Sequence, residues 1–310
     1  MLEGGVTLIA SNQVLVLNCN IATLNSLLEC VLLLETFVRF KDKVALICGA
    51  GASSPGWSNG KAVSVLLSRE GAKIFAIDSR ADNLAPTVEA IQAEGGTCVA
   101  QTADVTSQKD VQAAVAACMK KWGRIDILFN NVGLQSLGGP EELEEEVWDL
   151  LMNANVKSMF LTCKHVLPVM TAQKSGVIIN NSSMAAISFL YPSIAYSSSK
   201  GAVDAFTKNL AVQYAGKGVR VVSVRPGLMA TPRITARMKT KFGDGYEEAL
   251  DARNKIVPMG RMGDAWDVAK AVVFLASDDA SYITATEIVV DGGLSASALG
   301  HPWADQEKNL

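Results

Sequence analysis

Histidine is scarce: the 310 residues contain two, His165 and His301. Six cysteines (Cys19, Cys30, Cys48, Cys98, Cys118 and Cys163) are scattered, with no C-x-x-C pair. Nothing clusters at metal-ligand spacing, so no metal is expected, and His165 reads as structural. The cysteines read as mostly buried free thiols of a reducing compartment. The chain lacks a long basic block and carries a formal net charge of −3, so nucleic acid is not expected as a partner. It also lacks a spanning apolar run. Leu24 to Val38 is shorter than the roughly 20 apolar residues a bilayer requires and holds Glu29 and Glu35. No Lys or Arg precedes Arg39, which removes the positive n-region of a secretory signal and the arginines of a transit peptide. A membrane partner is not expected, and a cytoplasmic location is. Residues 1–40 stand apart as an extension. They are open to three readings: a helix packed on the domain or a partner, a weakly membrane-associating segment, or an appendage without catalytic role. The last is favoured.

What is present is alternation. Charged residues make up 19% of the chain, and aliphatic residues are abundant enough for a large core. From Lys41 onward, short β-branched runs alternate with helical ones. Strands are expected at 44–48, 72–77, 97–102, 125–129, 176–180, 219–224 and 287–290. Helices are expected at 61–70, 81–94, from Ser107 as N-cap, in an interrupted stretch over 141–170, from Tyr196 to about 215, and at 265–276. Strands apolar on both faces and joined by helices give an α/β fold: a doubly wound, Rossmann-type parallel sheet of about seven strands, with right-handed crossovers. There is no repeat and no linker after residue 41, so residues 41–294 are expected as one catalytic domain. Residues 295–310 form a C-terminal tail. The acidic run Glu141 to Glu146 suits a helix start with a solvated face.

In such sheets ligands bind beyond the carboxyl ends of the strands. The first strand ends in Gly49, and a glycine-rich loop runs to Gly60. Glycines let a backbone approach a pyrophosphate, and the following helix N-terminus supplies N–H donors and a positive dipole. Asp78 closes the second strand 18 residues after Gly60. A carboxylate there accepts hydrogen bonds from ribose hydroxyls and repels a 2′-phosphate, which favours NAD over NADP. Arg80 and Lys61 keep NADP open. Further along, Tyr196 and Lys200 stand four apart on a helix and share a face. A phenol ordinarily titrates near about 10, and an adjacent ammonium favours its phenolate. A tyrosine tuned in that way trades protons with an alcohol or ketone.

Taken in register, these stretches resemble the short-chain dehydrogenase/reductase family of the single-domain type, over residues 41–294. Asp104-Val105 resembles the pair that holds the adenine. Asn130-Asn131-Val132-Gly133 resembles the segment after the fourth strand, with Val132 in place of the usual alanine. Asn155-Val156-Lys157-Ser158 resembles the stretch with the catalytic asparagine, and Ser183 stands 13 residues before Tyr196. Arg225-Pro226-Gly227 and Thr231-Pro232 resemble the turn and threonine beside the nicotinamide, and Asp291-Gly292-Gly293 the close of the last strand.

The resemblance implies an NAD- or NADP-dependent alcohol/ketone oxidoreductase. Tyr196 would be the acid/base, Lys200 would lower its pKa and hold the nicotinamide ribose, and Ser183 would bind the substrate oxygen. Asn155 would hold a relay water. Gly49, Ser53, Asn59, Gly60, Asp78, Asp104, Val105, Asn131, Gly133, Pro226, Gly227 and Thr231 would bind cofactor together with Tyr196 and Lys200. It also implies a homotetramer or homodimer with a small-molecule alcohol or carbonyl substrate.

The loop departs from the family's pattern. Gly49 and Gly60 are eleven apart rather than six, and the insert contains Ser54-Pro55-Gly56-Trp57. Trp57 either covers the cofactor or packs. The substrate loop is expected over 228–257, with Phe189, Leu190 and Tyr191 on the pocket wall. Its mixture of Met229, Ile234, Met238, Phe242 and Tyr246 with Arg233, Arg237, Lys239 and Lys241 admits an apolar carbonyl compound with or without an acidic group. Two other classes compete: a sugar-nucleotide epimerase or dehydratase, and a non-catalytic dinucleotide sensor. The first usually needs a longer C-terminal domain. The second does not need Asn155, Ser183, Tyr196 and Lys200 together.

Overall fold

Strand β3 (Val44–Cys48) is buried along its whole length, as a strand covered on both faces must be. In the computed structural model, which describes residues 4–10, 13–19, 38–189 and 191–297, it is an interior strand, third in a seven-stranded parallel sheet. The other strands are β4 (Lys73–Asp78), β5 (Cys98–Thr102), β6 (Ile127–Asn130), β7 (Gly176–Asn181), β8 (Val219–Pro226) and β9 (Glu287–Val290). Their spatial order is β5-β4-β3-β6-β7-β8-β9. The order reverses between β3 and β6, which opens a crevice at their carboxyl ends. Separately, β1 (Gly4–Ala10) and β2 (Gln13–Cys19) pair as an antiparallel hairpin. The apolar run read at 24–38 lies outside the described residues up to position 37.

Period-two alternation divides the core. Ala45, Ile47, Ile74, Ala76, Phe129 and Ile179 face one side, against α1 (Asn59–Arg69), α2 (Ala81–Ala93) and α9 (Ala265–Ala276). Leu46, Phe75, Leu128, Ile178 and Val221 face the other. There they meet α3 (Gln108–Trp122), α5 (Ser158–Gln173) and α6 (Ile194–Ala215). Ser107 caps α3 as expected, its Oγ accepting from the Asp110 amide at 3.3 Å.

Two stretches differ from the sequence reading. The helix expected from Glu141 begins at Glu145, as α4 (Glu145–Met152). The Glu142 carboxylate instead accepts the Gly139 amide at 2.6 Å and closes a turn. The interruption before α5 is a π turn over Asn153–Lys157. The segment 228–257 is largely helical, with α7 (Pro232–Phe242) and α8 (Tyr246–Ile256). Pro232 takes the first helical position, where its missing N–H costs nothing, and Met238 turns inward and is buried. Among the described residues no helix is long and apolar enough to cross a membrane.

Candidate active site

A cleft of about 480 Å³ opens where β3 and β6 part. One end is the glycine loop. Gly49 turns with φ +80°, and Gly60 packs so tightly that a Cβ there would meet the Gly49 carbonyl at 1.9 Å. The loop insert is closed by Ser58, which the sequence reading passed over. Its hydroxyl donates to the Gly51 carbonyl at 2.7 Å and accepts the Lys61 amide at 3.1 Å, capping α1. A serine just ahead of a helical run was the available signal. Ser53 and Asn59 line the cleft, and Asn59 Oδ1 is buried without a partner among the described residues. Trp57 packs on Trp266, with ring centroids 4.6 Å apart. Lys61 lies over the Trp57 ring at 4.6 Å. The insert is thus anchored to α9 by a tilted ring contact and to α1 by a cation–π contact.

Asp78 stands at the end of β4. Its Oδ2 accepts the Gly51 amide at 3.2 Å, and its Oδ1 accepts Asn83 Nδ2 at 3.0 Å. Asp104 and Val105 also line the cleft, and Asp104 Oδ1 accepts both the Thr106 amide and hydroxyl at 2.8 Å. Asn131 Nδ2 donates to the Gly49 carbonyl at 2.8 Å, which ties β6 to the loop.

At the other end α6 brings Tyr196 and Lys200 to the cleft wall. Lys200 is 2% exposed, and its Nζ donates to the Asn181 carbonyl at 2.6 Å. Burial is the main influence on this ammonium, with Arg233 adding to it and Asp204 opposing, and its pKa falls to about 8. Tyr196 departs from the sequence expectation. Burial raises its phenol above the ordinary value. The neighbouring Ser183 hydroxyl and the charge of Arg233 pull it back, and the charge of Tyr191 adds to the rise. Lys200 Nζ lies 5.7 Å from the Tyr196 ring centroid and is directed to the Asn181 carbonyl.

Arg233 was not singled out as a site residue from the sequence. It lies in the first turn of α7, which holds no acid, and its Nη1 donates to the Gly133 carbonyl at 3.0 Å across the cleft. Nothing in the sequence pairs positions a hundred residues apart.

Ser183 Oγ accepts the Ala185 amide at 3.2 Å and starts a short 3₁₀ turn, which fixes the hydroxyl beside Tyr196. Asn155 lies in the π turn and is fully buried. Its Oδ1 accepts the Leu134 amide at 2.7 Å, and its Nδ2 donates to the Leu134 carbonyl and the Ser199 hydroxyl. Ser199 in turn donates to the Tyr196 carbonyl at 2.7 Å. The Asn155 side chain is therefore a clamp on the segment after β6 and on the turn bearing Tyr196.

Thr231 lines the cleft, while Pro226 and Gly227 are not among the residues lining it. Gly227 packs so closely on Asp291 that a Cβ would lie 2.5 Å from the aspartate Cβ. Tyr191 bonds Gln135 at 2.9 Å in the adjoining pocket, Phe189 is 83% exposed, and Leu190 lies outside the described residues.

Known proteins resemble this chain over most of its length. The family model described as enoyl-(acyl carrier protein) reductase matches residues 55–295. Levodione reductase of Leifsonia aquatica is 34% identical over 262 residues, covering 84% of this chain and 96% of that protein. Cyclohexanol dehydrogenase of an Acinetobacter species is 34% identical over 259 residues, covering 83% and 97%. Among solved structures, a short-chain dehydrogenase/reductase from Burkholderia xenovorans superposes with a TM-score of 0.81 at 41% identity, covering 84% of this chain and 99% of that one.

The depressed Lys200 pKa makes a prediction. The unfolded lysine binds a proton that the folded one releases between about 8 and the ordinary value of 10.5, so its burial costs stability at neutral pH and less as pH rises through that window. The stability of wild type relative to Lys200→Met should rise by about 3 kcal/mol between pH 7 and pH 10.5. Urea unfolding of both proteins across that range reads it; a constant difference would contradict the shift. Comparison with the variant removes the opposite trend from the buried cysteines, whose thiols are held up to about 12.

Proposed function

The chain belongs to the short-chain dehydrogenase/reductase family, and on that premise we propose that it interconverts a secondary alcohol and a ketone, with NAD as the favoured dinucleotide and Tyr196 as acid and base. The observation that carries this reading is the single cleft with Asp78 and the glycine loop at one end and Tyr196 with Lys200 at the other.

The residues fit a dinucleotide. Asn59 Oδ1 and Asn181 Oδ1 are buried in the cleft wall without partners among the described residues. Gly51 keeps the backbone so near Asp78 that a Cβ would lie 2.7 Å from its Oδ2. Gly49, Ser53, Asn59 and Gly60 would hold the phosphates, Asp78 the adenosine ribose, and Asp104 with Val105 the adenine. Asn131, Gly133, Pro226, Gly227 and Thr231 would border the nicotinamide half, and Lys200 its ribose. The dinucleotide supplies the hydride chemistry.

This chain's residues manage the proton. Tyr196 as the phenol donates a proton to the carbonyl oxygen in reduction, and as the phenolate takes the alcohol proton in oxidation. Ser183 hydrogen-bonds the oxygen on which charge develops. Asn155, expected to hold a relay water, has its side-chain amide engaged with Leu134 and Ser199 and holds the surrounding backbone in place. The NAD preference is supported by Lys61, which lies over Trp57.

We also propose that residues 41–294 form the catalytic unit, with 228–257 covering the substrate, and that residues 1–40 supply no catalytic group. Cys48, Cys98, Cys118 and Cys163 are free, which supports a cytoplasmic location. Exposed Leu150, Phe160 and Val212, on α4, α5 and α6, support assembly as a homodimer or homotetramer. Light scattering should give two or four chains, and a monomer would overturn the assembly.

The main experiment is a panel of alcohols and ketones read by NAD(P)H absorbance with both cofactors. Turnover should favour NAD, and Asp78→Ala should lower the NAD-to-NADP ratio of kcat/KM at least about tenfold, since a carboxylate hydrogen bond of roughly 1.5–3 kcal/mol is removed. Wild-type preference for NADP, or a ratio unchanged by the substitution, would refute the role of Asp78. No turnover across the panel would refute the reaction.

A further inference from the structure

A second pocket, of about 570 Å³, adjoins the cleft. The two share chain neighbours: Leu134 and Arg233 line the first, Gln135 and Ile234 the second. Tyr191, in the second pocket, is close enough to Tyr196 to influence its titration, and Arg237 likewise affects Arg233. The lining is unusual for a chain with a net charge of −3. It contains Arg237, Lys241 and Arg253 and no carboxylate, beside the apolar Leu137, Met238 and Phe242. Arg237 and Arg253 make no ion pair among the described residues, while Asp251 of α8 pairs with Lys255 at 2.8 Å. Arg233, Arg237 and Lys241 recur every four residues on α7, so they form a row with a cation about every 6 Å. The row starts beside Tyr196 and leads into the pocket.

We propose that this pocket binds the anionic end of the substrate: a carbonyl or alcohol compound in which a short apolar segment separates the reacting carbon from a carboxylate, sulfonate or phosphate. This rests on the oxidoreductase reading for the position of the reacting carbon. Arg237 supplies a planar fork suited to an oxyanion, and Lys241 and Arg253 add charge. Leu137, Met238 and Phe242 take the apolar segment. Arg237 is then a specificity-determining residue outside the proton-transfer apparatus. Charges that merely face water would give no preference between a charged ligand and its neutral isostere.

The test is binding of hexanoate and hexanamide to the full NAD-loaded chain by calorimetry. Hexanoate should bind at least about tenfold more tightly, and the preference should shrink as salt screens the cations. Arg237→Gln combined with Arg253→Gln should bring the two ligands within about twofold, and Arg237→Lys should retain part of the preference as a point charge. Equal affinities in wild type, or a preference that survives the double substitution, would overturn the proposal. Ketone turnover is read separately. Absence of turnover with an intact hexanoate preference would refute the redox reading and leave the anion pocket standing.

Discussion

A buried ammonium needs fixed dipoles around it, and at Lys200 that need ties the ends of three strands together. Lys200 Nζ donates to the Asn181 carbonyl at the end of β7. Asn181 Nδ2 donates to Asn131 Oδ1 just beyond β6 at 2.8 Å. Asn131 Nδ2 then donates to the Gly49 carbonyl at the end of β3. A run of hydrogen bonds thus joins Lys200 to Gly49, the first glycine of the loop after β3. It crosses the sheet where the strand order reverses, so the two ends of the cleft are held in register by a single network.

The same network fixes where the Lys200 ammonium is directed. Four residues apart on a helix places two side chains on one face, but their polar atoms go where partners are. Lys200 is drawn to Asn181, while Tyr196 is left in an environment set by burial, Ser183 and Arg233. Asn155 completes the arrangement from the other side. Its position in a π turn lets one amide clamp both Leu134 and Ser199. The cations of α7 form a second, outer arrangement, to which the proposed anion preference belongs.

The alternation of strands and helices was legible in the sequence because β3, β4, β6, β7 and β8 carry continuous apolar runs that only a doubly covered sheet buries. The strand bounds fall within a residue or two of the expected ones. Around the cleft, the glycine loop and Asp78 were legible because they close strands, and Tyr196 and Lys200 because they share a helix face, whereas Asn155 and Ser183 were read from the resemblance to the family. Ser58 and the Trp57–Trp266 contact were not, because the insert folds against α9, and that contact depends on tertiary packing. Arg233 was missed for a similar reason. Its partner, the Gly133 carbonyl, is brought near only when α7 folds over the cleft. The helical character of 228–257 was obscured by its mixture of charged and apolar residues, although Ile234, Met238 and Phe242 recur every four.

The central claim is that Tyr196 moves the proton while the rest of the cleft holds the reactants, and one measurement tests it most directly. Tyr196→Phe removes only the hydroxyl, so kcat for the best alcohol or ketone should fall by about 10²-fold or more while the affinity for NADH, followed by its fluorescence, stays within about twofold of wild type. A variant that keeps wild-type kcat would contradict the account.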